Sequence, residues 1–276
     1  MKGQLRKIVV AMDNSSFSMT AAHWGATLAN AAQCELVLAH VVDVRYANGP
    51  WFADVCGVLG AAPYEDLVHS LSDAMSERGS NILAMGEAIA KERGAKPILK
   101  LEHGVFPEVI KRLCEDANLL VLGRRGDDSA TGNHLMGSAG ERAIRAVDCS
   151  CLVVPSDFAA PDSMVVGVND SDPSRSACAW AEYLHEMFPN IEVRPLHIAE
   201  DGDSVVFEEM TVAGSSVAIM KGDPEKILLD EGGSLKERSL SVIGAVGHTR
   251  TLKELILGTL SFHLLHKLPG PVLLAR

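Results

Sequence analysis

The sequence predicts an α/β protein made of two repeated doubly wound domains, each a mainly parallel five-stranded sheet with helices on both faces. Three observations carry this reading. Short apolar, β-branched runs alternate with amphipathic stretches, the whole alternation occurs twice, and the composition suits buried parallel strands. Of the 276 residues, 47% are apolar, 22% are charged and only 5% are aromatic. Such a chain is too hydrophobic to stay disordered. At about 100–200 residues per domain, its length suits two units.

The repeat is visible at constant offset. IVVAMDNSSFSMTAAHWGATL (Ile8–Leu28) lies over MVVGVNDSDPSRSACAWAEYL (Met164–Leu184), with Val9, Val10, Ser15, Ser18, Ala21, Trp24 and Leu28 meeting identical residues. Further on, His40 falls on His197, Gly104–Ile110 resembles Gly222–Ile227, and LLVLGRRG (Leu119–Gly126) matches LSVIGAVG (Leu240–Gly247). The order never changes, so two copies of one domain are the economical reading.

In the first copy the strands are expected at Lys7–Met12, Glu35–Val41, Pro97–Glu102, Leu119–Leu122 and Cys151–Val154. Helices are expected to begin near Ser16–Ser18, near Pro107, a residue tolerated in a first helical turn, and at Gly137–Ser138, with a long helix over Glu65–Arg93. The segment Arg45–Leu67, with Trp51, Phe52 and Tyr64, reads as a surface loop leading into that helix, or as a lid. Little lies between Ile198 and Val217, so the second copy is expected to have lost or reduced the long helix. The Pro-, Ser- and Asp-rich stretch Ser156–Ser163 marks the linker between domains 1–156 and 163–276.

Composition also excludes functions. A net charge of −11 opposes general nucleic-acid binding, which draws on Lys and Arg. No apolar run approaches the roughly 18 residues of a membrane span. The apolar run Ile8–Met12 is shorter than the about 7–15 residues of a signal-peptide core and reads as a first strand. Cys34, Cys56, Cys114, Cys149, Cys151 and Cys178 show neither a CxxC pair nor zinc spacing. Reduced thiols in a cytoplasmic protein are expected.

In an open parallel sheet, ligands bind beyond the carboxyl ends of the strands where strand order reverses. There the first copy has Asp13-Asn14-Ser15-Ser16, Val41-Val42-Asp43, and Gly123-Arg124-Arg125-Gly126, followed after ten residues by Gly137-Ser138 at a helix start. Glycines let backbone amides approach phosphate oxygens, and a helix N-terminus adds unpaired N–H groups and positive partial charge. The second copy repeats the pattern as Gly244-Ala245-Val246-Gly247, ten residues, then Gly258-Thr259.

These residues and the tandem layout resemble the universal stress protein family in its two-domain form, over nearly the whole chain. The resemblance implies an adenine nucleotide alpha hydrolase-like fold that binds ATP, with Mg²⁺ as an accompanying ion and its ligands unassigned. Asp13 then lies near ribose and metal, Val41 at the adenine, and Gly123, Gly126, Gly137 and Ser138 at the phosphates. Three departures stand out. The family's G-x2-G-x9-G-[ST] signature is one residue longer in both copies, Gly140 stands where the family often has Ser or Thr while the second copy keeps Ser261, and Asn169 replaces the Asp13 carboxylate.

Plainer readings stay open beside these. Ser138 and Glu141 have capping-box spacing, and Asp13 can cap or shape the first helical turn. Arg124 and Arg125 are expected in solvent, His40 and His197 as satisfied rings at strand ends, and His134 and His248 in solvated loops. Trp24 and Trp180 fit core packing, as do Cys149 and Cys151. Walker, GxSxG, SGGxDS and HIGH motifs are absent.

The expected function is therefore stress-response regulation through ATP held in the first domain, with little or no catalysis. The alternatives are an interaction module without nucleotide, or a slow ATP hydrolase. The apolar last strands, Cys151–Pro155 and Pro271–Ala275, would invite pairing at a sheet edge. The resemblance implies an internal pseudo-dimer with Leu152–Val154 beside Val272–Leu274, and it leaves a further homodimer of chains open.

Overall fold

Runs such as Lys7–Ala11 and Leu119–Gly123 are apolar on both faces, so they bury best inside a sheet whose ladder satisfies every backbone group. A computed structural model describes residues 5–43, 64–126, 136–199, 207, 209–234, 238–245 and 258–276. In the first half, β1 (Lys7–Ala11), α1 (Ser16–Ala32), β2 (Glu35–Val42), α2 (Tyr64–Glu92), β3 (Pro97–His103), α3 (Phe106–Leu113), β4 (Leu119–Gly123), α4 (Ser138–Ala146) and β5 (Ser150–Val154) follow one another. The second half has β6 (Ser163–Val168), α5 (Asp172–Met187), β7 (Glu192–Ala199), β8 (Thr211–Val212), β9 (Ser215–Ser216), β10 (Ala218–Lys221), α6 (Pro224–Ser234), β11 (Ser239–Gly244), α7 (Thr259–Lys267) and β12 (Val272–Ala275).

Ten strands form one sheet in the order β10-β7-β6-β11-β12-β5-β4-β1-β2-β3, and β8 and β9 pair separately. Each half contributes five strands in the same arrangement, and every neighbouring pair within a half is parallel. Alternate residues feed two apolar layers. Ile8 and Val10 join Trp24, Leu28, Trp180 and Leu184 under α1, α2 and α5. Val9 joins Ile110, Ile144, Leu228 and Leu264 under α3, α4, α6 and α7. This is the period of two that a strand imposes, read onto both faces.

One element, β3, departs from expectation in a physically clear way. β3 is an edge strand rather than a fully covered one, and Ile98 and Leu99 are 43% and 39% exposed. Between β7 and β10, where the first half has its long helix, the described residues of the second half form only the β8–β9 hairpin. The chain there is too short for a helix of 29 residues such as α2. The expected surface loop or lid at Arg45–Leu67 lies outside the described residues, apart from the start of α2. Among the described residues, no helix is long and apolar enough to cross a membrane.

The halves meet through the antiparallel pairing of β5 with β12, where Val153 faces Val272, Leu152 faces Leu273 and Cys151 faces Leu274. Leu152 and Leu273 are equivalent residues of the repeat, so a local two-fold axis passes between them. Side chains reinforce the joint. Trp180 Nε1 donates to Ser150 Oγ at 2.9 Å, inside the protein. The Arg276 guanidinium donates to the carbonyls of Ile144 and Val147 at the end of α4.

Leu152 and Leu273 are almost fully buried. Each truncated to Ala is expected to lose about 2–5 kcal/mol in urea unfolding. Because they face one another, the double variant should lose less than the sum by about 0.5 kcal/mol or more.

Candidate functional site

β1 and β4 are neighbours, and from them the chain proceeds in opposite directions, β1 to β2 and β4 to β5. The crevice beyond their carboxyl ends is the switch point of the first half. Asp13 follows β1 there. Its Oδ1 accepts from the Ser15 amide at 2.9 Å and from Ser15 Oγ at 2.5 Å, while Ser18 Oγ donates to the Asp13 carbonyl at 2.5 Å. This is a side-chain-closed turn of the kind Asp favours. The cap of α1 is Ser15, whose Oγ accepts from the Ser18 amide at 3.1 Å. Asp13 thus shapes the turn and leaves the capping to its neighbour.

The second side of the crevice comes from the glycines after β4. A methyl group on Gly126 would lie 2.8 Å from Asp13 Oδ2, so a side chain there would have to displace the carboxylate. A methyl on Gly137 would lie 3.9 Å from the Gly126 nitrogen. The Gly137 amide donates to the Arg124 carbonyl at 3.0 Å, which draws the loop ends together. Asp13, Gly126 and Gly137 therefore converge. Gly123 acts differently. A methyl there would lie 2.8 Å from the Phe17 carbonyl carbon, so its small size seats the start of α1 on β4.

α4 begins at this point with Gly137 as its N-cap, a residue with no side chain to offer the first-turn amides. The capping-box reading is corrected here. Ser138 is an exposed first helical residue, and Glu141 turns to Arg145 one helical turn on, at 3.0 Å. Val41 lies near the end of β2, half-buried and opposite Glu102 of β3. Since β1 runs between β4 and β2, Val41 and the glycine loop stand on either side of Asp13.

The second half repeats this framework with different chemistry. Asn169 Oδ1 accepts from the Ser171 amide at 3.0 Å and from Ser171 Oγ at 2.6 Å, the same turn without a charge. Gly244 packs against Pro173 as Gly123 packs against Phe17, and the Gly258 amide donates to the Ala245 carbonyl at 3.0 Å. The Ser261 hydroxyl donates to the Gly244 carbonyl at 2.8 Å and is buried. At the matching Gly140, a methyl would lie 2.8 Å from the Met136 Cε. Residues 127–135 and 246–257, which hold His134, Gly247, His248 and the extra residue of each glycine spacing, lie outside the described residues.

Among the plainer readings, Arg124 needs correction. It is 3% exposed, and its guanidinium donates to the Pro269 carbonyl at 3.4 Å and the Gly270 carbonyl at 2.6 Å, both from the second half. Burial, and then Arg125, pushes its pKa down to about 10, so it remains a cation at neutral pH. Arg125 is half-buried. His40 Nδ1 lies 2.8 Å from the Met12 carbonyl and His197 Nδ1 lies 2.9 Å from the Val168 carbonyl, which gives both rings a strand-end partner. Trp24 and Trp180 are core residues. One residue near the loop went unnoticed in the sequence: His266 of α7, whose Nδ1 accepts from the Met136 amide at 3.0 Å.

A family model described as the universal stress protein family matches residues 4–155. The chain belongs to the universal stress protein family. It is similar to universal stress protein Slr1230 of Synechocystis, with 22% identity over 99% of this chain and 100% of that protein. Universal stress protein Rv2005c of Mycobacterium tuberculosis is 26% identical over 98% of this chain and 96% of its own. A crystal structure of a universal stress protein from Archaeoglobus fulgidus shares the fold, with a TM-score of 0.74, 19% identity, and coverage of 99% and 97% of the two chains.

His266 gives this family member a pH dependence. A lone pair on Nδ1 is needed to accept from Met136, so the bond belongs to the neutral ring with the proton on Nε2. Burial lowers the His266 pKa; Glu141 opposes the shift, and Arg124 and His263 add to it. A base with a lowered folded pKa contributes stability that is complete above its ordinary value of 6.5 and is lost as pH falls through the lowered value. His266→Gln, which keeps an acceptor without titrating, should flatten the fall in melting temperature between about pH 7 and 5.

Proposed function

We propose that this universal stress protein is a cytoplasmic stress-response regulator that holds ATP in its first domain, residues 1–156, with little or no turnover. Residues 163–276 form a second, shorter domain in which Asn169 stands in place of the Asp13 carboxylate. The observation that carries the reading is the convergence of the Asp13 carboxylate, Gly126 and the uncapped start of α4 at the switch point. Two glycines that bring the loop beside the Asp13 carboxylate, next to helix amides without a side-chain cap, form a cradle suited to a phosphate chain. Gly137 opens the uncapped first turn of α4, whose amides from Ser138 onward take the phosphates, Gly126 lets the loop pass close to Asp13, and Gly123 seats the start of α1 beside them. Val41 lies toward the adenine and Asp13 toward the ribose.

Among the described residues, no group of three or more His, Cys, Asp or Glu side chains is arranged to hold a metal. Mg²⁺ suits such a place, because it keeps several waters and takes its remaining ligands from phosphate oxygens and one carboxylate. Bound there, it would neutralise phosphate charge, and Asp13 is the residue to hold it. Low turnover fits the same geometry. One oxygen of Asp13 is engaged by Ser15, and His40 Nδ1 is engaged by the Met12 carbonyl. In the second half, Asn169 has no carboxylate and Ser261 is committed to Gly244, which favours a supporting role.

Titration of the whole chain with ATP and Mg²⁺ tests the site. Saturable binding is expected, and ligand at about 100 times its dissociation constant should add roughly 2.7 kcal/mol of stability in a thermal shift. Gly137→Arg should remove that shift while leaving the unfolding midpoint without nucleotide unchanged. Absence of saturable binding by the unaltered protein would falsify the site.

A further inference from the structure

The glycine loop of the first half is held at both ends by the second half. At its start, the Arg124 guanidinium is buried against the carbonyls of Pro269 and Gly270, in the turn between α7 and β12. At its end, the Met136 amide donates to His266 Nδ1 on α7. The Gly137 amide bonds the Arg124 carbonyl, so both ties bear on residues that are themselves joined. Among the described residues, Arg124 is held by neutral carbonyls and not by a carboxylate. A buried cation with such partners is a costly way to gain stability alone. Its carbonyl holds the Gly137 amide at the cradle, and this place gives the cost a purpose.

Among the described residues, the ties run one way. Ala245 stands where Arg124 does in the repeat, so the second half sends no guanidinium back from its own loop at that position. The reciprocal arginine, Arg276, grips the carbonyls of Ile144 and Val147 at the opposite end of α4 from the cradle. Arg145, the counterpart of His266, bonds Glu141 of its own helix.

We infer that Arg124 and His266 are positioning residues through which the second domain braces the nucleotide cradle of the first, so that full ATP affinity in one half requires the other. This brace rests on the proposed ATP site. Pinning both loop ends beforehand removes ordering that the ligand would otherwise have to bring about.

The test uses the full chain, Arg124→Met, His266→Phe and, as control on the same interface, Arg276→Met. Two readouts are taken: the dissociation constant for ATP with Mg²⁺, and hydrogen exchange at the Met136 and Gly137 amides without nucleotide. Arg124→Met and His266→Phe should weaken ATP binding by about tenfold, within the usual range of coupling between sites, and Arg276→Met by less than about twofold. The Met136 amide should exchange faster in His266→Phe. Equal affinity in all four proteins, or an equal loss in Arg276→Met, overturns the brace. If Arg124→Met does not fold, His266→Phe decides on the same criteria. If the unaltered protein binds no ATP, the functional reading fails, and the exchange data judge the brace by themselves: unchanged protection at Met136 refutes it.

Discussion

An apolar strand cannot stay unpaired at the rim of a sheet, and the rest of this molecule follows from how that problem is solved. β5 and β12 each complete a five-stranded parallel unit and each would present bare N–H and C=O groups to solvent. They satisfy one another. The antiparallel ladder centred on Leu152 and Leu273 joins two sheets into one, and it brings the ends of α4 and α7 within reach of arginines from the opposite half. The loop that follows β4 inherits its surroundings from this joint, because β4 lies next to β5.

Much of this architecture was legible in the amino-acid order. Internal similarity revealed the duplication, and the apolar runs located the strands to within about a residue. Burial on both faces makes such runs unambiguous, as for Leu119–Leu122 and Cys151–Val154. β3 was less transparent, since an edge position depends on the sheet order rather than on the strand's own residues. The replacement of the long helix by a hairpin followed from the shortness of the second copy.

The candidate site was readable in its backbone and opaque in its side chains. Glycine spacing and strand-end position drew attention to Asp13, Gly126 and Gly137, because close approach has a local signature. Gly123 proved to serve packing against Phe17, a distinction that the letter G does not carry. Ser138 and Glu141 have the spacing of a capping box, yet the helix begins one residue too early for it. Arg124 was misjudged because an arginine in a loop is usually solvated, and only the tertiary joint supplies the carbonyls that bury it. One clue was present: its repeat partner is Ala245, and a difference at an otherwise repeated position marks a place where the halves have separate roles.

That difference has a bearing on why the two units share one polypeptide. In a symmetric homodimer, any residue at the joint is present twice, and a change on one side is imposed on the other. Fusion lifts this obligation. Arg124 can sit on one side of the axis and Ala245 on the other, Asp13 on one and Asn169 on the other, so that a surface once bound to copy itself becomes free to divide its labour.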